Sequence, residues 1–448
     1  MTKAILVFTF STLSCKLTTA QINKDTIKPN NWTTHFQFTT IVQSHSGFNS
    51  KYSGYNSLAD SVETGATTVT ATLFLGRKLW KGASFYFNPE ISGGKGLSSS
   101  VGVAGALNGE SYRVGATSPT VFLARAYLQQ NIALGNTTYE NVTDDVNQIA
   151  GKIPANRITI SAGKFAIGDF FDDNKYAHDA RSEFMNWSLM GNGAWDYPAN
   201  TRGYTMGVVV ELIKPKWAVR FSSVAVPRIA NAPQMEYVIS KAHSETFELE
   251  RKLNINKRQG NIRLLISNSK SKAPSYSDGL KAITDGNTFL LDVISGKAEN
   301  NTYGGKKFGA GYSFDQELTD YLGIFSRASW NDGMHATWAF TEIDQSFSIG
   351  LSVKGTQWKR AGDVAAIAIV LNGISASHRE FLKAGGYGFI IGDGNLNYGS
   401  ENIIEAYYNA HLSKTFWLTF DYQFVNNPAY NKDRGPVHVF SIRGHIEI

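Results

Sequence analysis

The chain has 448 residues, of which 42% are hydrophobic, 12% aromatic and only 18% charged, and its formal net charge is +6. This composition excludes an intrinsically disordered protein, because such chains lack the apolar surface that offsets the entropy cost of folding. It also excludes a helical membrane protein, since beyond the first residues no apolar run approaches the roughly 20 residues of a spanning helix. The modest charge gives no reason to expect nucleic acid as a partner. Abundant Gly, Tyr and Thr indicate strands.

The N-terminus has the pattern of a secretory signal peptide over residues 1–20. Lys3 precedes an apolar stretch, and small residues end the segment at Ala20, the predicted cleavage position. Cys15, the single cysteine of the chain, lies in this segment and matches a lipidation motif only weakly. The mature protein, residues 21–448, would therefore be exported without cysteines, which suits an envelope protein stabilised by something other than disulfides.

The rest of the chain is predicted to be one domain of strands. No linker divides residues 21–448, and alternating segments of about ten residues recur between clusters of Gly, Asn, Asp and Lys, as in a transmembrane barrel. Single-chain bacterial barrels have even strand numbers, and sixteen strands enclose an aqueous lumen. We predict an all-β transmembrane antiparallel β-barrel of 16 to 18 strands, with sixteen favoured. In chain order, the predicted strands include 36–47, 65–79, 83–93, 121–133, 157–168, 204–213, 217–226, 244–254, 260–269, 307–314, 320–330, 336–342, 346–354, 363–372, 402–412, 416–425 and 436–448.

Alternation along these segments separates an apolar face, predicted to meet lipid, from a polar face. In the segment 416–425 the apolar face consists of Phe416, Leu418, Phe420, Tyr422 and Phe424, and the polar face of Trp417, Thr419, Asp421 and Gln423. A soluble β-sandwich also alternates, but charged residues in the middle of polar faces and aromatic residues near strand ends favour a barrel with a lumen. The charged residues predicted to line that lumen are Glu90, Arg125, Glu211, Arg220, Glu248, Arg263, Arg327, Glu405 and Arg443.

One pair of these charges should be close. A two-residue turn at Lys214-Pro215 would place Glu211 and Arg220 on the same face of adjacent strands, in diagonal contact. Both signs of charge are therefore expected in one lumen.

The segment 170–203 lacks alternation and is longer than most loops, which suggests a function. If it only caps the barrel from outside, it is a polar surface loop with aromatic residues beneath. If it folds into the lumen, it narrows the pore with a surface suited to sugars, because aromatic rings stack on pyranose C–H faces while charged groups bond the hydroxyls. The second interpretation is favoured. The candidate constriction and sugar-contact residues are Asp172, Asp173, His178, Asp179, Arg181, Glu183, Phe184, Trp187, Trp195, Tyr197 and Arg202.

Several stretches resemble the carbohydrate-selective porins of the OprB-like family. The most specific is FFDDNKYAHDARSEFMNWSLMGNGAWDYPANTRGY, followed by TFELERKL, GNIRLLISNSKS, SHREFLKAGGYGFIIGDG and the terminal segment from NIIEAYYNAHLSK. The resemblance runs from residue 157 to the C-terminus and implies a sixteen-stranded outer-membrane barrel for diffusive uptake of mono- and oligosaccharides. The chain departs from the pattern at Ile448, where an aromatic residue is usual, and at Ala180, where Pro is expected.

Catalytic motifs are not convincing in this sequence. His378-Arg379-Glu380 lacks the second His of a zinc helix, and no Gly-x-Ser-x-Gly elbow occurs. We therefore predict a porin of a Gram-negative outer membrane with no enzymatic activity, cofactor or metal, whose partners are carbohydrate solutes and outer-membrane lipid. Two alternatives remain: a general or ion-preferring porin, and a secreted β-rich sugar-binding or adhesive protein. The sequence also leaves open whether the barrel works as a monomer or a homotrimer.

Overall fold

Strands are the main regular secondary structure of the protein. The computed structural model describes residues 30–114 and 117–448; the predicted signal peptide at residues 1–20, including Cys15, lies outside the described residues. In the described part, the strands are β1 (Trp32–His45), β2 (Glu63–Lys78), β3 (Ala83–Gly94), β4 (Thr120–Ala133), β5 (Tyr139–Val142), β6 (Gly151–Pro154), β7 (Arg157–Phe165), β8 (Thr205–Lys214), β9 (Trp217–Val224), β10 (His243–Ile255), β11 (Arg258–Ser271), β12 (Gly305–Glu317), β13 (Leu322–Asn331), β14 (Gln345–Lys354), β15 (Val364–Gly373), β16 (Glu401–Ser413), β17 (Phe416–Asn426) and β18 (Val437–Glu447). Short helices lie in the connections: α1 (Gly109–Val114), α2 (Trp187–Met190), α3 (Tyr276–Asp285), α4 (Thr288–Ile294) and α5 (Ala376–Lys383).

Sixteen of these strands form a closed antiparallel barrel. Each pairs with its neighbours along the chain, and β1 pairs with β18 to close the sheet, with Gln37 opposite Glu447. β5 and β6 form a separate two-stranded sheet, so β4 pairs directly with β7. Closure pairs every strand on both sides, which is the condition for strands to cross hydrocarbon. The prediction of a sixteen-stranded all-β barrel is confirmed. Among the described residues, no helix has both the length and the apolar character needed to span a membrane.

The predicted alternation of faces is confirmed. Along β17, Phe420 is 54% exposed on the outer surface, while its neighbours Thr419 and Asp421 are 1% and 5% exposed. The last strand behaves in the same way, with Phe440 and Ile442 exposed outside. Because side chains alternate across a strand, one apolar set meets the surroundings and the polar set meets the barrel interior.

The predicted strand at 336–342 is wrong. This segment is an irregular connection between β13 and β14, and its apolar residues are buried by other loops instead of a sheet face. The backbone N–H groups of Trp338, Ala339 and Phe340 donate to the carboxylate of Asp196 at 2.8 to 3.0 Å. A short apolar run has the same sequence pattern in a strand and in a buried irregular connection, because periodicity alone does not reveal the hydrogen-bond partner of the backbone.

The two ends of the barrel differ in the length of their connections. At one end, which we call the short-turn end, most connections are brief, with two residues at 215–216, 256–257 and 414–415. Asn256 and Lys257 both have positive φ, 52° and 65°, as a two-residue hairpin turn compatible with strand twist requires. At the other end the connections are long and carry α1 to α5.

The turn between β8 and β9 corrects one prediction. Its two residues are Pro215 and Lys216, not Lys214 and Pro215, because Lys214 still pairs with Trp217. This one-residue shift places Glu211 directly opposite Arg220 instead of diagonal to it.

Long connections pack against one another and form an internal core. One cluster joins Trp187 and Met190 of α2 to Phe340, to Phe381 of α5 and to Tyr430. These residues come from four separate connections, so this core arises only when the barrel brings the loops together.

Candidate functional site

The segment 170–203 connects β7 to β8 and makes hydrogen bonds to buried side chains on strands around the whole barrel. Its partners are Glu90 on β3, Glu248 on β10, Arg327 on β13, Glu405 on β16 and Arg443 on β18. All five were predicted on the inward face, and all are 5% exposed or less. The segment therefore covers part of the polar face that the sequence suggested would be open to water.

Asp172 is the first anchor of the segment. Its Oδ1 accepts from Nε of Arg327 at 2.9 Å, and its Oδ2 accepts from the backbone N–H of Asn192 at 2.7 Å. The same guanidinium donates to the carbonyl of Leu189 at 2.8 Å. In turn, the backbone N–H of Asp172 donates to the carboxylate of Glu248 at 2.8 Å. Asp172 has a φ of 58°, a conformation that Asp tolerates better than most residues.

Two further anchors lie on the opposite side of the barrel. The carboxylate of Glu405 accepts the backbone N–H groups of Met185 at 2.5 Å and Asn186 at 3.0 Å. One guanidinium nitrogen of Arg443 donates to the carbonyl of Ala180, and also to that of Glu183, both at 2.7 Å. Buried backbone groups need hydrogen-bond partners. Hydrogen bonds to charged groups such as Glu405 and Arg443 are stronger than those between neutral groups.

Arg181 links the segment to the connection between β3 and β4. Its guanidinium lies 2.9 Å from a carboxylate oxygen of Glu90 and 3.2 Å from one of Glu110 in α1, and it donates to Thr72 Oγ1 at 2.9 Å. Glu183 accepts the backbone N–H groups of His178 and Asp179. Burial raises the pKa of Glu183 to about 7, although these two donors oppose the shift.

A cavity of about 730 Å³ lies beside the segment, and we call it the main cavity. The lining residues from the segment include Asp173, His178, Asp179, Trp195 and Tyr197. Those from the barrel wall include Arg125, Tyr127, Glu211 and Arg220. Asp173 is exposed, and His178, Asp179 and Tyr197 are partly exposed. The cavity therefore presents accessible carboxylate, imidazole and phenol groups along one side.

The aromatic residues of the segment are mostly packed against protein. Trp187 stacks on Phe340, with ring centroids 4.7 Å apart and an angle of 4° between planes, and is 4% exposed. Tyr197 also lies against Phe340, at 5.0 Å, but keeps part of its surface toward the main cavity. Of the three rings predicted to stack on sugar, Tyr197 is thus the most accessible. Phe340 was not predicted here, because it lies about 140 residues away in the segment misassigned as a strand.

The wall of the main cavity carries a network of paired charges. Arg220 contacts Glu211 at 3.1 Å, Glu248 at 2.8 Å and Glu250 at 3.0 Å. Arg125 forms two hydrogen bonds with Asp169, at 2.6 and 2.7 Å. Both signs of charge therefore lie side by side in the wall of this cavity.

Three of the predicted residues lie elsewhere. Arg202 donates to Thr120 Oγ1 at 2.9 Å, and its guanidinium lies 4.0 Å from the ring centroid of Phe122, away from the main cavity. Arg263 pairs with Glu250 and Asp315 in the wall. Phe184 is fully buried against Phe325 and Tyr407. The contacts of Phe184 with these two rings stabilise the segment.

The sequence matches one family model, described as "Carbohydrate-selective porin, OprB family", over residues 59–448. The chain belongs to the OprB family of carbohydrate-selective porins. It is therefore an outer-membrane sugar porin, and the alternative of a secreted adhesive or sugar-binding protein without a pore is wrong. The family and the fold indicate a channel rather than an enzyme.

One solved porin structure shares the fold of this OprB-family chain, and two others are less similar. The high-pH structure of Pseudomonas putida OprB has a TM-score of 0.65 and 15% identity, with 93% of this chain and 94% of that chain covered. The low-pH structure of the same protein has a TM-score of 0.48 and 13% identity, with 93% of each chain covered. The outer-membrane channel DcaP of Acinetobacter baumannii has a TM-score of 0.48 and 9% identity, covering 93% and 97%. No curated protein matches the sequence.

This OprB-family porin has a second buried connection that sequence analysis missed. The carboxylate of Glu401 accepts the backbone N–H groups of Ala104 and Gly105 at 2.9 and 2.8 Å. The carbonyl of Leu107 accepts from the amides of Gln43 and Gln423. The stretch is rich in Gly, Ser and Ala and carries no periodic signal, so only the buried polar residues facing it on the strands could have indicated that something covers them.

Proposed function

We propose that the segment 170–203 folds into the lumen and forms the constriction through which mono- and oligosaccharides diffuse passively. The observation that supports this proposal is the distribution of its anchors. Hydrogen bonds from the segment reach β3, β10, β13, β16 and β18, and these strands are spread around the circumference. A loop lying outside the barrel could not contact inward-facing residues on so many sides.

Sugar preference in this proposal comes from the accessible groups of the main cavity. Tyr197 offers a ring face to pyranose C–H groups, while Asp173, His178 and Asp179 exchange hydrogen bonds with hydroxyls. Each such hydrogen bond contributes a net of only about 1 kcal/mol. Weak binding at several groups is what a channel requires, since a solute held tightly would not leave.

Tyr197→Ala tests this assignment. Loss of a contact worth about 1 kcal/mol should reduce the preference for glucose roughly fivefold, measured as liposome swelling by glucose relative to swelling by an oligo(ethylene glycol) of equal size. Tyr237→Ala is the matched control, because Tyr237 is 65% exposed in the connection between β9 and β10 and does not line the main cavity. Equal glucose preference in the wild type and Tyr197→Ala would remove Tyr197 from the sugar path.

The alternative of an ion-preferring porin predicts a different electrical behaviour. The main cavity is lined by three arginines, Arg125, Arg181 and Arg220, and by seven carboxylates, some of which pair with arginines of the wall. We therefore expect only a modest cation preference, measured as a small reversal potential in a tenfold KCl gradient across a planar bilayer, because the carboxylates exceed the arginines but are partly paired. A reversal potential approaching the limit for pure cation or anion permeability would instead favour the ion-preferring porin.

We also infer that an N-terminal signal peptide, cleaved after Ala20, exports the chain in a Gram-negative cell. The basic residue, apolar stretch and small residues of the N-terminus support this inference. N-terminal sequencing of the protein purified from outer membranes tests it, and a start at Gln21 is the expected result.

A further inference from the structure

A second cavity lies on the other side of the segment that borders the main cavity. Its volume is about 260 Å³, near the small end of the range for small-molecule sites. Lys175, Tyr176, Ser182 and Glu183 line it, whereas Asp173, His178, Asp179 and Arg181 line the main cavity. Among the described residues, none lines both cavities, so the side chains of residues 172–183 divide between them.

The second cavity opens at the short-turn end. Its other lining residues come from the turn between β12 and β13 and from nearby ends of β14 to β16; they are Glu317, Thr319, Asp320, Tyr321, Leu322, Gly323, Ser352, Lys354, Val364, Tyr407 and Asn409. Of all the residues that line the second cavity, only Glu183 was predicted from the sequence to contact sugar.

Aromatic rings in this cavity are held in place by their surroundings. The hydroxyl end of the Tyr176 ring lies against Gly323, where an added Cβ would clash with Cζ. The ring of Tyr407 meets Phe184 edge to face, with centroids 5.0 Å apart. Tyr321 is partly exposed in the turn. Tyr407 and Tyr176 are buried and form the wall, so Tyr321 is the ring that a ligand with an apolar face can reach in this cavity.

The polar groups of the cavity are suited to a neutral ligand. Lys175 and Glu317 form an ion pair, which cancels most of their charge. Ser182 and Asn409 add hydroxyl and amide groups that can both donate and accept hydrogen bonds. The carboxyl group of Glu183, whose pKa is raised to about 7, is partly protonated at neutral pH and can also act in both ways.

We propose that the second cavity is an additional binding site for one neutral hexopyranose at the short-turn end of the channel. This inference rests on the proposed sugar-conducting function. The ring of Tyr321 would contact the C–H face of the sugar, and Ser182, Asn409 and Glu183 would bond its hydroxyls. The small volume accepts a single ring, whereas the main cavity, nearly three times larger, has room for longer saccharides.

Cysteine protection tests this proposal in the full-length protein. Cys15 is the single cysteine of the chain, so a Cys15→Ser background makes any introduced thiol unique. Ser182→Cys reports on the second cavity, Asp173→Cys on the main cavity, and Ser413→Cys, in an exposed part of the strand next to a short turn, serves as the control. The measurement is the rate of modification by a methanethiosulfonate reagent with and without glucose.

At a glucose concentration of about twice its Kd, two thirds of the sites are filled, and we expect about threefold slower modification at Ser182→Cys. Adding Tyr321→Ala should abolish this protection, while Tyr321→Phe, which keeps the ring, should retain it. Modification at Ser413→Cys should not respond to glucose.

The outcomes separate this inference from the proposed function. Protection at Asp173→Cys without protection at Ser182→Cys would overturn the second site and leave the sugar-conducting main cavity intact. Protection at Ser182→Cys that survives Tyr321→Ala would also overturn the site as described. Absence of protection at both positions would contradict the second site together with the sugar contacts proposed for the main cavity.

Discussion

Replacing Arg327 by Met is expected to free the segment 170–203 from β13 and to raise the conductance of the open channel. Arg327 is 2% exposed. Its guanidinium donates to the carboxylate and the backbone carbonyl of Asp172 and to the backbone carbonyl of Leu189. Removing one partner of a buried ion pair leaves the other charge uncompensated, which costs about 3–5 kcal/mol. The part of the segment around Asp172 should therefore shift before the barrel itself unfolds, because the strands keep their backbone pairing and the anchors on β16 and β18 still hold the rest of the segment.

Two measurements check this expectation, namely single-channel conductance and the midpoint of urea unfolding. The double variant Arg327→Met with Asp172→Asn removes the stranded charge and should recover part of the lost stability; Asn is chosen because position 172 has positive φ. Arg258→Met is the matched control, since Arg258 pairs with the highly exposed Asp320 in solvent, and no measurable change is expected there. A loss of stability with unchanged conductance in Arg327→Met would contradict an obstruction of the pore by the part of the segment around Asp172.

Phe420→Arg is expected to destabilise the barrel by about 2–4 kcal/mol, the cost of an arginine on the lipid-facing surface near mid-depth. Phe420 is exposed on the outer face of β17, between Tyr408 on β16 and Ile442 on β18. The measurement is the free energy of unfolding in lipid vesicles, compared with the wild type.

The control for Phe420→Arg must lie on the inward face. Thr419 is the adjacent inward residue, but its hydroxyl accepts two hydrogen bonds from Arg443, so an arginine there would place two cations together. Gln37→Arg is better, because Gln37 borders the main cavity directly opposite Glu447. Equal loss of stability in Phe420→Arg and Gln37→Arg would contradict the assignment of the outer face to lipid.

The barrel itself could be predicted because its pattern is local. Whether Phe420 faces out and Asp421 faces in depends only on the alternation of side chains along one strand, and every inward charge named from sequence lies on the inward side. The error at 336–342 shows the limit of that signal. Its residues alternate as a strand would, yet their backbone donors bind Asp196, a partner about 140 residues away.

The candidate site was predicted as a list of residues but not as an arrangement. Sequence analysis placed Asp172, Asp173, Arg181 and Tyr197 in one segment, but gave no means to divide them into anchors and accessible groups. Asp172 and Arg181 form ion pairs with residues of distant strands, whereas Asp173 and Tyr197 line the main cavity. That division depends on which side chains oppose each residue after the barrel closes.

Taken by itself, the sequence determined the strand class, the approximate strand positions and the two faces, because each follows from side-chain periodicity within about ten residues. Tertiary structure decided the register of Glu211 against Arg220, the packing of Phe340 on Trp187, and the division of residues 172–183 between two cavities. The physical reason is the range of the interactions. Alternation acts between neighbours, whereas buried ion pairs and ring stacks join residues that only the closed barrel brings within contact distance.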